Sequence, residues 1–586
     1  MAMNYTHILS LKKYRSLSSK ALMIAVLALG FSACKKDYLQ DGSITDGAIT
    51  GDQVWGNDAY ARGVLNSAYF NIPEGFSIDG GGGMLASGTD EAVNSGVNAN
   101  LSIFNNGTWG PLRTVDDEYS NLYEGLRKVN LFLENLAKSE IIPTDGLSVQ
   151  DDKSRLEGQA YFLRALFHFE LMKRYGAITL ATRVFSRDEN LNLPKNTYKE
   201  CLDQIIADCD KAIATKLPLF TRETATTANP YPWRTGDYGR ATKTAAMGLK
   251  SRLLLYAASP LFATQSGVTW QQAADVAKAI IDLNVHSLRT NYTNVFNFGA
   301  DPYNNEVLFA TRAQNRNDIE QQQAPISYDG ATGRTNPTQE MIDAFETTNG
   351  KLVTDPSNTL YNANNPYVNR DPRLALTVNY NGRVFKSKAV QTYVGGADGL
   401  NRNINATKTG YYMRKFLSES ATWNQQSNTL ARRPWVVMRY AEILLNYAEA
   451  LNEAQGVAAM TEVLKQVNLV RARTGVAMPA LQTTNPTGNG YVAPTKEAIR
   501  ERIQNERRVE LCFEGHRFYD VRRWKLGETF LNKPVTGMRI TIDGAGVTTY
   551  ARFEVEKRYF QEKNYLYPFS QNTINRQPAL IQNTGY

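Results

Sequence analysis

Cys34 is the residue whose surroundings define a chemistry most narrowly. Lys12, Lys13, Arg15 and Lys20 form a basic head, residues 21–31 an apolar run, and Ser32-Ala33-Cys34 a junction of small residues ending in a thiol. A positive head, a short apolar stretch and small residues before a cleavage point are what a secretory signal requires, and a Cys directly after them adds lipidation. Residues 1–33 are therefore read as a lipoprotein signal peptide and Cys34 as the lipidated mature terminus. The apolar run is shorter than the roughly 18 residues of a spanning helix, so attachment would rest on acyl chains.

Two acid-rich groups invite a catalytic reading. Segment 505–524 (NERRVELCFEGHRFYDVRRW) places Glu506, Glu510, Glu514, Asp520 and His516 among Arg507, Arg517, Arg523, Phe513, Phe518, Tyr519 and Trp524. Acid/base chemistry is one reading; a partly buried ion-pair and aromatic network is the simpler one, because interior charges persist when paired. Asp116, Asp117 and Glu118 resemble glycosidase carboxylates, yet acids in the first turn of a helix are more simply dipole partners. No HExxH, CxxC, GxxxxGK[ST] or GxSxG pattern occurs, so the usual zinc, phosphate-loop and nucleophile-elbow chemistries lack their signatures. No catalytic residue, metal site or cofactor is expected. Cys201 and Cys209, eight apart in a predicted helix, lie about 12 Å apart along its axis, beyond the ~7 Å Cα limit for a disulfide. Cys512 reads as a small buried hydrophobe.

The formal charge of +8 falls to +4 once the four basic residues of 1–33 are set aside, and no long Lys/Arg block remains. Nucleic acid is therefore excluded as an expected partner. Hydrophobic content of 42% and charged content of 21% fit a globular chain long enough for a large core.

The elements that must position any site are mainly helical. Leu156, Ala160, Leu163, Phe167 and Leu171 form one stripe, with Phe162, Leu166 and Phe169 beside it, so a helix over 155–175 must be sandwiched between others. Similar patterns predict helices at 118–138, 197–215, 241–258, 270–283, 437–455, 459–473 and 496–513. In 437–455 the large residues Tyr440, Leu444, Tyr447 and Leu451 alternate with Ala441, Ala448 and Ala450, the pattern of stacked helix pairs. Trp55, Trp270 and Trp524 lie on helical patterns and are expected in the core. Residues 34–50 read as a flexible tether, and 72–115 and 286–436 are loop-rich. The segment RITIDGAGVTTYARFEV predicts a hairpin turning at Asp543-Gly544.

Several segments carry a resemblance: ASGTDEAV (86–93), GQAYFLRALFHFELMKRYGAITL (158–180), TQEMIDAFETTNGK (338–351), RYAEILLNYAEALNEAQG (439–456), segment 505–524 and YLYPFSQNTINRQPALIQNTGY (565–586). Together with the lipidated Cys34 they make the chain similar to outer-membrane lipoproteins of the SusD/RagB family. The resemblance implies a mainly α fold of tetratricopeptide-like helix pairs with long ligand-binding loops and a minor β-hairpin. It also implies an N-terminal helical region over 51–245 and a C-terminal region over 246–586. Its functional implication is a non-enzymatic lipoprotein on the outer face of the outer membrane, partnered with a SusC-like TonB-dependent transporter, to which it delivers oligosaccharides. A peptide-binding or protein-scaffolding member of the family, or a surface glycosidase, are the alternatives.

Sugar rings have apolar faces edged by hydroxyls, so a sugar site needs flat aromatic platforms flanked by polar groups. Loop aromatics are the candidates. Trp109, beside Asn105 and Asn106, stands first; Tyr328 and Arg334 follow on a second loop, with Tyr303 and Trp423 behind them.

Overall fold

The computed structural model describes residues 50–586 apart from 79, 97–99, 187, 226–231, 297–300 and 425. The signal peptide, the Cys34 lipidation site and nearly all of the tether lie outside the described residues. Two compact units divide the chain after Asn57. In the first, the short helix Gly51–Trp55 is capped by Thr50, whose side chain accepts from the Gln53 N–H while Gln53 reaches back, a capping box.

The second unit carries ten helices of eight or more residues among the described residues. They are α1 (Asp58–Ala68), α2 (Tyr119–Asn135), α3 (Val149–Tyr175), α4 (Tyr198–Ala214), α5 (Lys243–Ala258), α6 (Trp270–Asp282), α7 (Tyr440–Gln455), α8 (Met460–Arg471), α9 (Lys496–Glu510) and α10 (His516–Arg523). Each of α1 to α8 packs on the next, and α9 closes on α7 and α8. Such nearest-neighbour stacking lets pairs of amphipathic helices share one continuous core. The fold is mainly α, as the periodicity predicts.

α3 shows how the sequence produces the stack. Ser148 caps its start by accepting from the Asp151 N–H, Asp151 and Asp152 complement the first turn, and Lys173 and Arg174 the last. Gly176, at φ 73°, ends it in backbone space that favours glycine. Phe162, Leu163, Leu166 and Phe167 are fully buried, each worth about 1.5–3 kcal/mol relative to exposure. Gly158 permits close approach, since a Cβ there would sit 2.1 Å from Thr215 Oγ1. Buried ion pairs then set register: Arg164 with Asp208 ties α3 to α4 at 2.7 Å, and Arg252 with Glu442 ties α5 to α7 at 2.6 Å.

Among the described residues the sheets are six antiparallel two-stranded ladders. The largest pairs Val535–Ile542 with Thr548–Glu556 around a turn in which the Asp543 N–H donates to Val547 O, matching the predicted hairpin. Some boundaries differ: the 155–175 helix begins earlier, at Val149, and the 496–513 helix ends at Glu510. Val436–Arg439 pairs as a strand with Val307–Ala310, so α7 begins at Tyr440 rather than 437, consistent with the β-branched pair Val436-Val437. Trp55 and Trp524 are buried as expected, whereas Trp270 is only half-buried at the start of α6. Cys201, Cys209 and Cys512 are free and buried.

Candidate functional site

The acid-rich segment 505–524 is a lock. Glu510 is bridged by Arg373, Arg439 and Arg473 at 3.0, 2.8 and 2.9 Å. Glu506 meets Arg373 and Arg471, and Asp520 meets Arg507 and Arg523. Burial alone would raise the Glu510 carboxyl, but Arg473, Arg439 and Arg373 hold it well below the usual carboxylate range. Burial, reinforced by Arg252, Arg507, Arg439 and Lys173, drives the His516 imidazole far below its ordinary value, leaving it neutral. Asp116 differs from its reading as a helix-dipole partner. It lies ahead of α2 at φ 55° and is buried against Arg174 and the Tyr567 hydroxyl at 3.0 and 2.8 Å. Asp117 is the acid that meets the first turn of α2, accepting from the Tyr119 N–H at 3.3 Å.

The five loop residues expected to touch ligand separate. Trp109 is 2% exposed, its ring set edge-on against Phe104, Tyr567 and Tyr586 at centroid separations of 4.7, 4.8 and 6.2 Å. Tyr303 is buried too; its hydroxyl donates to Thr311 O at 3.0 Å and accepts from the Ala313 N–H at 2.6 Å. Neither offers a sugar an open face, so both expectations are corrected: these rings are packing, supplied with neighbours from distant parts of the chain.

Tyr328 and Trp423 instead belong to one loop-built face. Trp423 is half-buried, and its Nε1–H donates to Asp329 O at 2.8 Å, joining it to the residue beside Tyr328. Gly330 lies against the indole; a Cβ there would meet Trp423 Nε1 in ordinary contact at 3.8 Å. Tyr328, also half-buried, meets Phe385 edge-on at 5.4 Å and donates its hydroxyl to Phe385 O. Burial pushes that phenol up to about 12, so it remains a donor at neutral pH. Arg334, on the same loop, donates to Asn405 Oδ1 at 3.1 Å.

The residues that motif reasoning missed are on a small hairpin. Val384–Phe385 pairs with Lys388–Ala389, and the two-residue tip Lys386-Ser387 takes φ 46° and 63°. A tip with positive φ at both positions ordinarily carries Asn or Gly, so side chains held there are under backbone strain of the kind functional sites retain. This tip puts Lys386 Nζ 4.6 Å from the Trp423 ring centroid and Lys388 Nζ 5.4 Å from that of Tyr328, geometries of cation–π contacts. Lys386 also donates to Ala421 O. The Lys-Ser-Lys sequence between apolar residues was the available signal. Asp398 staples the face from below, accepting from the Ser327 and Gln391 N–H groups at 2.8 and 3.0 Å. Exposed Gln321, Asn424 and Asn428 surround it. Two partly open rings edged by amides and ammonium groups form a surface that stacks on sugar faces and bonds their hydroxyls. Among the described residues no three His, Cys, Asp or Glu side chains converge as metal ligands.

The family model described as "SusD family" matches residues 296–586, and one described as "Starch-binding associating with outer membrane" matches residues 86–255. SusD-like protein P25 of Formosa agariphila is 23% identical over 436 residues, covering 70% of each chain. A solved SusD-like protein from Bacteroides fragilis is similar at 28% identity and TM-score 0.74, over 92% of this chain and 99% of that one. A SusD-like carbohydrate binding protein, also from Bacteroides fragilis, has 24% identity and TM-score 0.73, over 90% of this chain and all of the other. With the helix-pair stack and the loop face above it, these matches identify the chain as a member of the SusD family.

Proposed function

We propose that this protein is a cell-surface lipoprotein that captures oligosaccharides and delivers them, unchanged, to a SusC-like TonB-dependent transporter in the outer membrane. The observation that carries the reading is the face built from Tyr328, Trp423, Lys386 and Lys388, where half-open rings and polar groups stand together on a rigid helical scaffold. Loops held by such a scaffold are where binding residues concentrate. The description of one matching model as starch-binding and outer-membrane-associated supports a carbohydrate ligand, as does the carbohydrate-binding structural relative.

Binding without turnover fits two of the acids nearby. Glu419 is fastened to Arg414, and Asp398 to backbone N–H groups, whereas hydrolysis needs two facing carboxyl groups free to act. No helix among the described residues is long and apolar enough to cross a membrane. Lipid on Cys34 supplies the anchor in this reading, since two or more acyl chains at about 0.8 kcal/mol per buried CH₂ hold a folded body on a bilayer. The transporter contact would need at least about 1,000 Å² of interface. A glycan array probed with the mature protein, followed by recovery of the bound sugar, tests the central part: retention of an intact oligosaccharide supports it. Retention of peptides alone, or release of shortened sugars, favours the peptide-binding or glycosidase alternative. Co-purification with a TonB-dependent barrel in mild detergent tests delivery, and isolation as a free monomer from membranes holding that barrel opposes it.

A further inference from the structure

A second cleft, of about 920 Å³, opens between α2, residues 179–186 and 191–193, and the C-terminal helix Gln571–Arg576. Its volume lies in the range of small-molecule sites, about 300–1,000 Å³. Tyr119, Tyr123 and Arg127 recur every four residues along α2 and so share one face of the helix. The two tyrosine rings lie 4.6 Å apart at a 46° tilt. Their hydroxyls are already engaged: Tyr119 donates to Gln577 Oε1 at 2.9 Å and Tyr123 to Thr179 O at 2.6 Å. What remains for a ligand is ring surface, supplemented by half-buried Phe185.

The charges are uneven. Arg127 and Arg576 both line the cleft, are exposed, and have no carboxylate partner among the described residues. Arg183 is already paired with Glu189, at 2.8 Å, and stacked on Phe185. The buried arginines of the Glu510 lock, by contrast, are each fastened to acids. A planar guanidinium left free is preorganised for bidentate capture of a carboxylate or sulfate. Asp117 sits at the Tyr119 end, which disfavours a polymer charged at every unit. Exposed Ser120, Ser186 and Asn572 offer partners for hydroxyls.

We propose that this cleft is a second ligand site, separate from the Tyr328–Trp423 face, and that it takes an oligosaccharide bearing acid groups. The aromatic pair stacks on a ring while Arg127 and Arg576 grip the acid.

Calorimetry on the mature protein tests it with four probes: a galactan tetrasaccharide bearing one glucuronate, the same tetrasaccharide bearing one sulfate instead, the neutral galactan tetrasaccharide and tetraglutamate. Arg127→Gln and Arg576→Gln should each weaken binding of an acidic sugar about tenfold, and the affinity should fall as salt rises. Trp423→Ala should leave that binding in place, and the uronate and sulfate arms identify the acid. The proposal is overturned if neither acidic sugar binds or if binding survives in the double arginine variant. It is also overturned if tetraglutamate binds as tightly with the same arginine dependence, which would assign the cleft to an acidic protein segment. Loss of neutral-glycan binding in Trp423→Ala bears only on the loop face, so the two readings fail independently.

Discussion

Trp109 follows Asn105-Asn106-Gly107-Thr108 and Trp423 precedes Asn424, so both tryptophans sit in short polar segments, yet they end in opposite environments. Trp109 is walled in by Phe104, Tyr567 and Tyr586. Trp423 is held by a single hydrogen bond to Asp329 O, with a lysine on its ring. The difference lies in what the rest of the chain brings. The C-terminal segment containing Tyr567 and Tyr586 folds back over Trp109, whereas the Lys386-Ser387 hairpin reaches Trp423 with the single ammonium of Lys386, which leaves part of the indole open. An aromatic in a polar loop is thus a platform only when the elements arriving beside it are polar.

The comparison breaks most visibly through the charge lock that stabilises the packed side. Arg439 bridges Glu306, Glu510 and Glu514. Arg439→Ala leaves three buried carboxylates short of a partner and should destabilise by about 5 kcal/mol, the upper end for a broken buried pair, read as a large fall in melting temperature. Trp109→Ala should follow, at about 4 kcal/mol for removing a buried tryptophan; a melting temperature unchanged by this variant would return Trp109 to the surface.

The packed side also carries a pH signature. Glu91 is buried, and that burial raises its carboxyl to about 7; Arg508 and Arg517 oppose the shift, Asp90 adds to it, and the Phe513 N–H opposes it. Because the folded value lies above the ordinary 4.5, folding favours the protonated form. Its stabilisation is full below about 4.5 and is lost as pH rises through about 7. Glu91→Gln, neutral at every pH, should gain on the order of 2–3 kcal/mol at pH 8 and little near pH 4.5. Equal effects at both pH values in denaturant titrations would show that Glu91 is ionised throughout.

Much of the scaffold was legible in the sequence because its signals are local. The stripe through Leu156, Leu163 and Phe167 predicts α3 without knowledge of its neighbours, and Gly176 and Gly456 mark helix ends where the structure has them. The start of α7 was misplaced because Val436–Arg439 is recruited by a strand more than a hundred residues earlier. The candidate site was legible only in part, for the same reason. Tyr328, Arg334 and Trp423 are loop residues whose types suit a sugar, but the hairpin that completes the face of Tyr328 and Trp423 reveals itself only when Lys386 reaches Trp423 across the fold. Trp109 and Tyr303 have equally suitable types, and only distant partners show that they are buried.

The most direct measurement is calorimetric titration of Trp423→Ala with the oligosaccharide that the wild-type protein retains, paired with its melting temperature. Removing one central aromatic contact should cost about 2 kcal/mol, roughly thirtyfold in affinity, while stability changes by at most about 1 kcal/mol. Affinity unchanged in Trp423→Ala but lost in folded Trp109→Ala would contradict the account and move the glycan to the side of the molecule assigned here to packing.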